Sequence, residues 1–396
     1  MMPPPQASRR IRQVDLPIIP TIAQMVREHP GTISLGQGVV NYGPPAQALA
    51  AIGPMTADPV LQKYQAVSGL PSLVSALRDK LARDNRIEPR GTELMVTAGS
   101  NMAFLNAVIA VADAGDEIVL PRPYYFNQEM AIRMVGCVPV FVDTTADFQL
   151  DVPALAAAIG PRTRAIVTVS PNNPTGAVYP EADLRRINAL CRERGLWHFS
   201  DEAYEWFTHD GATHFSPGSL PGACDHTLSF FSFSKTFGMA SWRVGYVVYP
   251  ESLSEAMNKV QDTNLICAPV VSQVVAAEAV RLGREPVRAH LEGLSDVRAQ
   301  VHAALAELGG LVEFPRTRGA FYVLMKLPGV ADALEFNRRM VRDHRVATIP
   351  GFAFGLTDTR SANWQRLSYG ALDAATVREG VSRFVGAVRA WYGHRG

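Results

Sequence analysis

Cysteine is scarce in this chain, with four in 396 residues, at Cys137, Cys191, Cys224 and Cys267. They lie too far apart for the close pairs of a zinc site, and they are too few for the disulfide framework of a small secreted domain. A reducing cytoplasm is the expected compartment. Long apolar runs are missing too. No stretch approaches the roughly 18 apolar residues of a membrane span, and the opening Met1-Met-Pro-Pro-Pro-Gln lacks the apolar core of a signal peptide. Nor is there an excess of one charge: 38 Lys and Arg against 37 Asp and Glu leave a net charge of +1. That balance gives no electrostatic reason to expect a nucleic-acid or membrane partner, so small molecules are the expected ligands. His198, His209, His214 and His226 are neighbours in sequence without metal-ligand spacing, and structural roles are expected for them rather than a metal site.

What the chain does have is enough apolar sequence for a large core. With 47% hydrophobic and 19% charged residues, it reads as a soluble globular protein whose length suggests about two domains. The first ten or so residues read as a flexible arm. From about residue 92 to 250, short apolar runs alternate with helical patterns, as in a mostly parallel α/β sheet. The expected strands are Leu94–Thr97, Glu117–Leu120, Pro139–Asp143, Ala165–Val169, Leu196–Ser200, Thr227–Phe233 and Val244–Tyr249. Ala182–Arg194 and Ser252–Leu265 read as amphipathic helices and Asn101–Ala112 as a more buried one. Polar clusters follow five strands: Gly99-Ser100-Asn101, Tyr124-Tyr125, Asn172 to Gly176, Asp201 to Tyr204, and Ser232 to Lys235. Ligands of open α/β sheets bind at the carboxyl ends of strands, so the five clusters point to one cleft. After about residue 285 the pattern becomes helix, strand, helix, strand, helix, which suggests a smaller α+β domain. The expected division is 1–45, an arm and a segment packing with the small domain; 46–284, a large domain; and 285–396, the small domain.

The stretch Thr227 to Arg243 carries the most chemistry. Lys235 follows a buried strand, where partial desolvation favours the neutral amine that forms a Schiff base with an aldehyde. Ser232, Ser234 and Arg243, eight positions beyond the lysine, are suited to bind a phosphate beside that aldehyde. Together they describe a pocket for pyridoxal phosphate.

Nine segments then resemble the class I/II aminotransferases of the fold-type I pyridoxal-phosphate family over nearly the whole length. They are Leu35-Gly-Gln-Gly38, Tyr64 to Pro71, Val96-Thr-Ala-Gly-Ser-Asn101, Gly115 to Ile118, Pro123-Tyr-Tyr125, Asn173-Pro-Thr-Gly176, Ser200-Asp-Glu-Ala-Tyr204, Ser232-Phe-Ser-Lys235 with Arg243, and Arg366-Leu-Ser-Tyr369. The implied fold is a large domain with a mostly parallel sheet plus a small α+β domain. Asp201, at a strand end, suits the pyridine nitrogen, because a buried carboxylate keeps that nitrogen protonated. Asn173 and Tyr204 would hydrogen-bond the ring's phenolic oxygen. Gly99, Ser100 and Asn101 open a helix whose backbone N–H groups can receive the phosphate. The resemblance further implies that Tyr125 stacks on the cofactor ring, that Tyr64 reaches the phosphate of a neighbouring subunit in a homodimer, and that Arg366 anchors the substrate α-carboxylate, with the Gly38 backbone opposite. Arg360 has no such match and reads as surface.

The implied reaction is transamination in two half-reactions, with Lys235 moving the Cα proton and a 2-oxo acid accepting the amino group. Some relatives that act on acidic substrates carry a lysine at the position of Asn101, which is uncharged here. That departure, with a likeness to the kynurenine, glutamine and methionine aminotransferase branch, makes a neutral or aromatic amino donor the expectation. Ile18, Ile19, Tyr42 and Phe352 are candidate wall residues. The alternatives are an aspartate aminotransferase, a carbon–sulfur β-lyase or an amino-acid oxidase on the same fold, and, more remotely, a non-catalytic effector-binding protein.

Overall fold

A computed structural model describes residues 6–357 and 363–393. Its centre is a seven-stranded sheet built from β2 to β8, which follow a short first strand, β1 (Ile33–Ser34). The seven are β2 (Thr92–Thr97), β3 (Glu117–Arg122), β4 (Val138–Asp143), β5 (Thr163–Val169), β6 (Trp197–Asp201), β7 (Thr227–Ser232) and β8 (Gly245–Pro250), in the order β2-β8-β7-β6-β5-β3-β4. β8 runs antiparallel to both its neighbours and every other pairing is parallel. Val167, Phe199, Leu228, Phe230 and Val247 are fully buried, as expected for central strands covered on both faces. Helices Ser100–Val111, Phe126–Val135, Glu181–Arg194 and Ser254–Asn264 connect or follow the strands. Glu181–Arg194 shows why the sequence stops and starts where it does: Glu181 and Asp183 lie in its first turn, Arg192 and Arg194 in its last, and Gly195 ends it at φ +65°.

The C-terminal part holds a three-stranded antiparallel sheet, β11-β12-β9, made of β9 (Tyr322–Lys326), β11 (Ile349–Pro350) and β12 (Trp364–Ser368); β10 (Val346–Ala347) pairs in parallel with β1 instead. Helices Arg288–Ala306, Ala333–His344 and Ala374–Gly393 complete it. Asp332 caps the second of these, accepting from the backbone N–H groups of Leu334 and Glu335 at 2.9 and 3.0 Å. The chain after β1 stays threaded there: Leu35 N donates to Ala347 O at 2.8 Å, and Ser368 N donates to Leu35 O at 2.7 Å. Ile22, from helix Ile18–Glu28, packs in one apolar cluster with Val341, Ala347, Ile349 and Phe354.

One expectation changes at the N-terminus. Residues 9–12, read as part of a flexible arm, form a helical turn; the Ser8 hydroxyl accepts from Ile11 N, and Arg10 lies against Gly136. Arg360 lies outside the described residues.

Candidate active site

The strand ends and the C-terminal sheet enclose a cleft of about 260 Å³. Gly38, Ser100, Asn101, Tyr125, Asn173, Asp201, Tyr204, Ser232, Ser234, Lys235, Arg243 and Arg366 all line it. Twelve of the fourteen residues singled out in the sequence are therefore brought together.

Lys235 sits in the short helical turn Phe233–Thr236 after β7, which Ser232 caps by accepting from Ser234 N at 3.2 Å. Its ammonium donates to Gly38 O at 2.5 Å. Burial first, and then the positive charges of Arg366 and Arg243, push its amine down to about 8. Asp201 ends β6 and is buried. Its Oδ1 accepts from Ala203 N at 3.1 Å and its Oδ2 from Gln128 Nε2 at 2.7 Å. These bonds and the Lys235 charge favour the carboxylate, but desolvation outweighs them and the carboxyl is pushed up to about 6. The site thus holds an amine that gives up its proton easily near a carboxyl that is reluctant to lose one.

Gly99, at φ +85°, is the residue before helix Ser100–Val111. A Cβ here would run into the Arg243 guanidinium, so the glycine brings a cation and a helix N-terminus to one end of the cleft without lining it. Arg243 is anchored to Ala240 O at 2.8 Å. Tyr125 precedes helix Phe126–Val135 and its hydroxyl accepts from Asn127 Nδ2 at 3.0 Å.

Arg366 lies within β12, 2% exposed. Nη1 donates to Asn173 Oδ1 at 2.8 Å and Nη2 to Gly36 O at 2.6 Å, while Nε has no partner. Its guanidinium carbon sits 4.6 Å from the Tyr322 ring and 4.9 Å from the Phe354 ring. Among the described residues no carboxylate pairs with it. A buried cation held by carbonyls and ring faces, with an N–H to spare, suits an incoming carboxylate.

Tyr64 lies away from the cleft, 80% exposed. Of the candidate wall residues, Ile19 lines the cleft, whereas Ile18 and Phe352 line a neighbouring hollow that shares Phe126 with it. Tyr42 is not a wall residue. Its hydroxyl donates to the backbone carbonyl of Lys235 at 3.0 Å and its ring stacks on His290, beneath the lysine turn. The four histidines are bonded elsewhere: His198 to Thr168 and Asn188, His209 to Ser295 and Ala320, His214 to Glu202, and His226 to Asn188. Sequence reasoning passed over Gln128 and Tyr322. Gln128 stands three residues beyond Tyr125 as a polar residue on a buried helix face, which was the available signal.

A family model described as aminotransferase class I and II matches residues 30–384. The aromatic aminotransferase ISS1 of Arabidopsis thaliana is 36% identical over 385 residues, covering 95% of this chain and 94% of that one. Among solved structures, the aspartate aminotransferase of Thermus thermophilus with maleate matches at a TM-score of 0.87 and 31% identity, covering 97% of this chain and 100% of that chain. An aromatic aminotransferase of Pyrococcus horikoshii matches at 0.85 and 32%, covering 94% and 99%. The α/β architecture expected from the sequence is the fold these structures share.

Proposed function

The chain belongs to the class I and II aminotransferases and has their fold-type I architecture, and from that premise we propose that it moves the amino group of a neutral or aromatic amino acid to a 2-oxo acid with pyridoxal phosphate as cofactor. The observation that carries this reading is Lys235, an amine pushed down to about 8 inside a cleft that also holds Asp201, Arg243 and Arg366.

The donor set fits that cofactor. The N-terminus of helix Ser100–Val111, Ser232, Ser234 and Arg243 suit its phosphate, and Asp201, steadied by Gln128 and Ala203, suits its ring nitrogen. When bound, pyridoxal phosphate supplies an aldehyde and an electron-withdrawing ring. Lys235 as free amine would take the proton from the substrate Cα and deliver it to the carbon of the former aldehyde, which calls for an amine that loses its own proton nearer to neutral pH than an ordinary lysine does. Asp201 as carboxylate would keep a proton on the ring nitrogen. Tyr204 and Asn173, buried side by side, would hold the ring through its phenolic oxygen. Tyr125 supplies an aromatic face, and Arg366, with the Gly38 backbone, receives the α-carboxylate.

Support for an uncharged substrate side chain comes from the remaining wall. The three cations among the cleft's lining residues, Lys235, Arg243 and Arg366, already have roles, and Ile19, Val39, Phe126 and Asn101, which also line it, are uncharged. The 36% identical aromatic aminotransferase agrees with this. The aspartate aminotransferase neighbour favours a second reading, an acidic donor, whose distal carboxylate would then need a cation from outside this list.

The proposal includes a division at about residues 45 and 284 and a cytoplasmic homodimer. The β1–β10 pairing supports the first boundary, the four free cysteines fit a reducing compartment, and the exposed Tyr64 is available to a neighbouring subunit. Light scattering that gives a fully active monomer would count against the dimer. The reading as a whole is tested by offering phenylalanine, methionine, glutamine and aspartate to several 2-oxo acids while following ammonia and peroxide. Amino transfer fastest from the neutral or aromatic donors is expected. Preference for aspartate would select the second reading, and ammonia or peroxide without amino transfer would refute the transferase.

A further inference from the structure

Tyr322, at the start of β9, is 1% exposed and touches both ends of the cleft from behind. Its hydroxyl is 2.7 Å from that of Tyr204, and the face of its ring lies 4.6 Å from the guanidinium carbon of Arg366. Gly38 leaves it room, since a Cβ there would come within 2.6 Å of the Tyr322 hydroxyl. Asn173 closes the circuit from the other side, its Nδ2 donating to the Tyr204 hydroxyl at 3.4 Å and its Oδ1 accepting from Arg366 Nη1 at 2.8 Å. Tyr204, Tyr322, Arg366 and Asn173 therefore form a buried ring of contacts.

Counting lone pairs gives this ring a direction. A hydroxyl has one donor and two acceptor sites, and an amide nitrogen can only donate. Asn173 Nδ2 fills one acceptor site on the Tyr204 oxygen. Among the described residues the Tyr322 hydroxyl bonds only to Tyr204. If Tyr204 donated to it, the Tyr322 proton would be left in a buried place without an acceptor, which is unfavourable. With Tyr322 donating, both acceptor sites of Tyr204 are filled and its own proton is left to point into the cleft.

We propose that Tyr322 is a positioning residue with two separable duties: its hydroxyl turns the Tyr204 proton toward the cofactor, and its ring face holds Arg366 in place for the substrate carboxylate. This rests on the function proposed above. The electron-rich face of an aromatic ring attracts a guanidinium, and more strongly where water is excluded. One side chain thereby fixes the distance between the cofactor end and the carboxylate end of the site.

The test uses purified holoenzyme and two variants. Tyr322→Phe keeps the ring and removes the hydroxyl. The pH midpoint of the cofactor's visible absorbance is expected to rise by roughly half a unit or more, because Tyr204 becomes a poorer donor to the phenolic oxygen. Affinity for 3-phenylpropanoate, a carboxylate without an amino group, is expected to stay within about twofold, since the ring contact survives. Tyr322→Leu removes both; carboxylate affinity is expected to fall roughly fivefold or more and the midpoint to move as in the Phe variant. An unmoved midpoint in Tyr322→Phe, or an equal loss of carboxylate affinity in both variants, would overturn the division of duties. A parent protein that forms no visible absorbance with pyridoxal phosphate would instead refute the function on which the inference rests.

Discussion

The two sheets meet the cleft in different ways. The seven-stranded sheet delivers its groups at or just beyond strand ends: Ser100 after β2, Tyr125 after β3, Asn173 after β5, Asp201 at the end of β6, and Ser232 and Lys235 at and after the end of β7. The three-stranded sheet delivers Arg366 from inside β12, opposite Leu324 on one side and Ile349 on the other. The first arrangement lets many polar groups converge, because the ends of parallel strands leave their loops free to turn inward. The second fixes a single cation deep in a packed wall between Tyr322 and Phe354, where its position depends on the sheet rather than on a loop. A cofactor that needs a phosphate cradle, a ring face and a nitrogen partner suits the first region. A carboxylate that needs one bidentate cation suits the second.

This contrast can be broken at either end. The largest effect is expected at the sheet end: Lys235→Ala should abolish turnover and the absorbance of lysine-bound cofactor while leaving the fold intact, as measured by steady-state assay, visible spectrum and circular dichroism. Normal transamination by that variant would remove the catalytic assignment.

Next comes the strand cation. Arg366→Ala should weaken amino-acid and 2-oxo-acid substrates alike, because both present the same carboxylate. Loss of a buried charged pair is worth about 2–5 kcal/mol, so kcat/KM should fall by well over tenfold. A variant that lost activity toward only one of the two substrates would show that they bind in different orientations.

The smallest effect is a pH midpoint. Burial and the Arg366 and Arg243 charges hold the Lys235 amine at about 8, below the ordinary lysine value of 10.5. Below that midpoint the group is an ammonium and cannot attack an aldehyde. The rate at which cofactor-free protein captures pyridoxal phosphate should therefore rise as pH passes through about 8 and then level. Removing Arg366 takes away one repelling cation, so the midpoint should move upward in Arg366→Ala. A rate still climbing toward 10.5 in the parent protein would show that the amine is not perturbed.

Much of the large sheet was legible because its strands are buried on both faces and bounded by turn residues. Thr227–Phe233 was expected and Thr227–Ser232 is found; Val244–Tyr249 was expected and Gly245–Pro250 is found. The antiparallel run of β8 was not legible, since a run of apolar side chains looks the same in either direction. The two-residue strands β1, β10 and β11 were also hidden, because so short a segment carries no alternation. In the cleft, Lys235 stood out as a cation following an apolar strand and Asp201 as an acid at a strand end, whereas Arg366 was marked only by the family resemblance. Tyr322 did not, because a tyrosine in Phe321-Tyr-Val-Leu-Met325 reads as core; only the three-dimensional placement reveals its neighbours Tyr204 and Arg366. Tyr64 illustrates the opposite case, a residue marked by resemblance whose surroundings in this single chain are solvent.

The central claim is that the cofactor and the substrate carboxylate are held by different regions. Purified Arg366→Ala, followed by its visible absorbance while it is titrated first with pyridoxal phosphate and then with 3-phenylpropanoate, tests it directly. The account expects cofactor binding close to that of the parent and a carboxylate response weakened by more than about tenfold. Loss of the cofactor with an undiminished carboxylate response would reverse the orientation of the whole site.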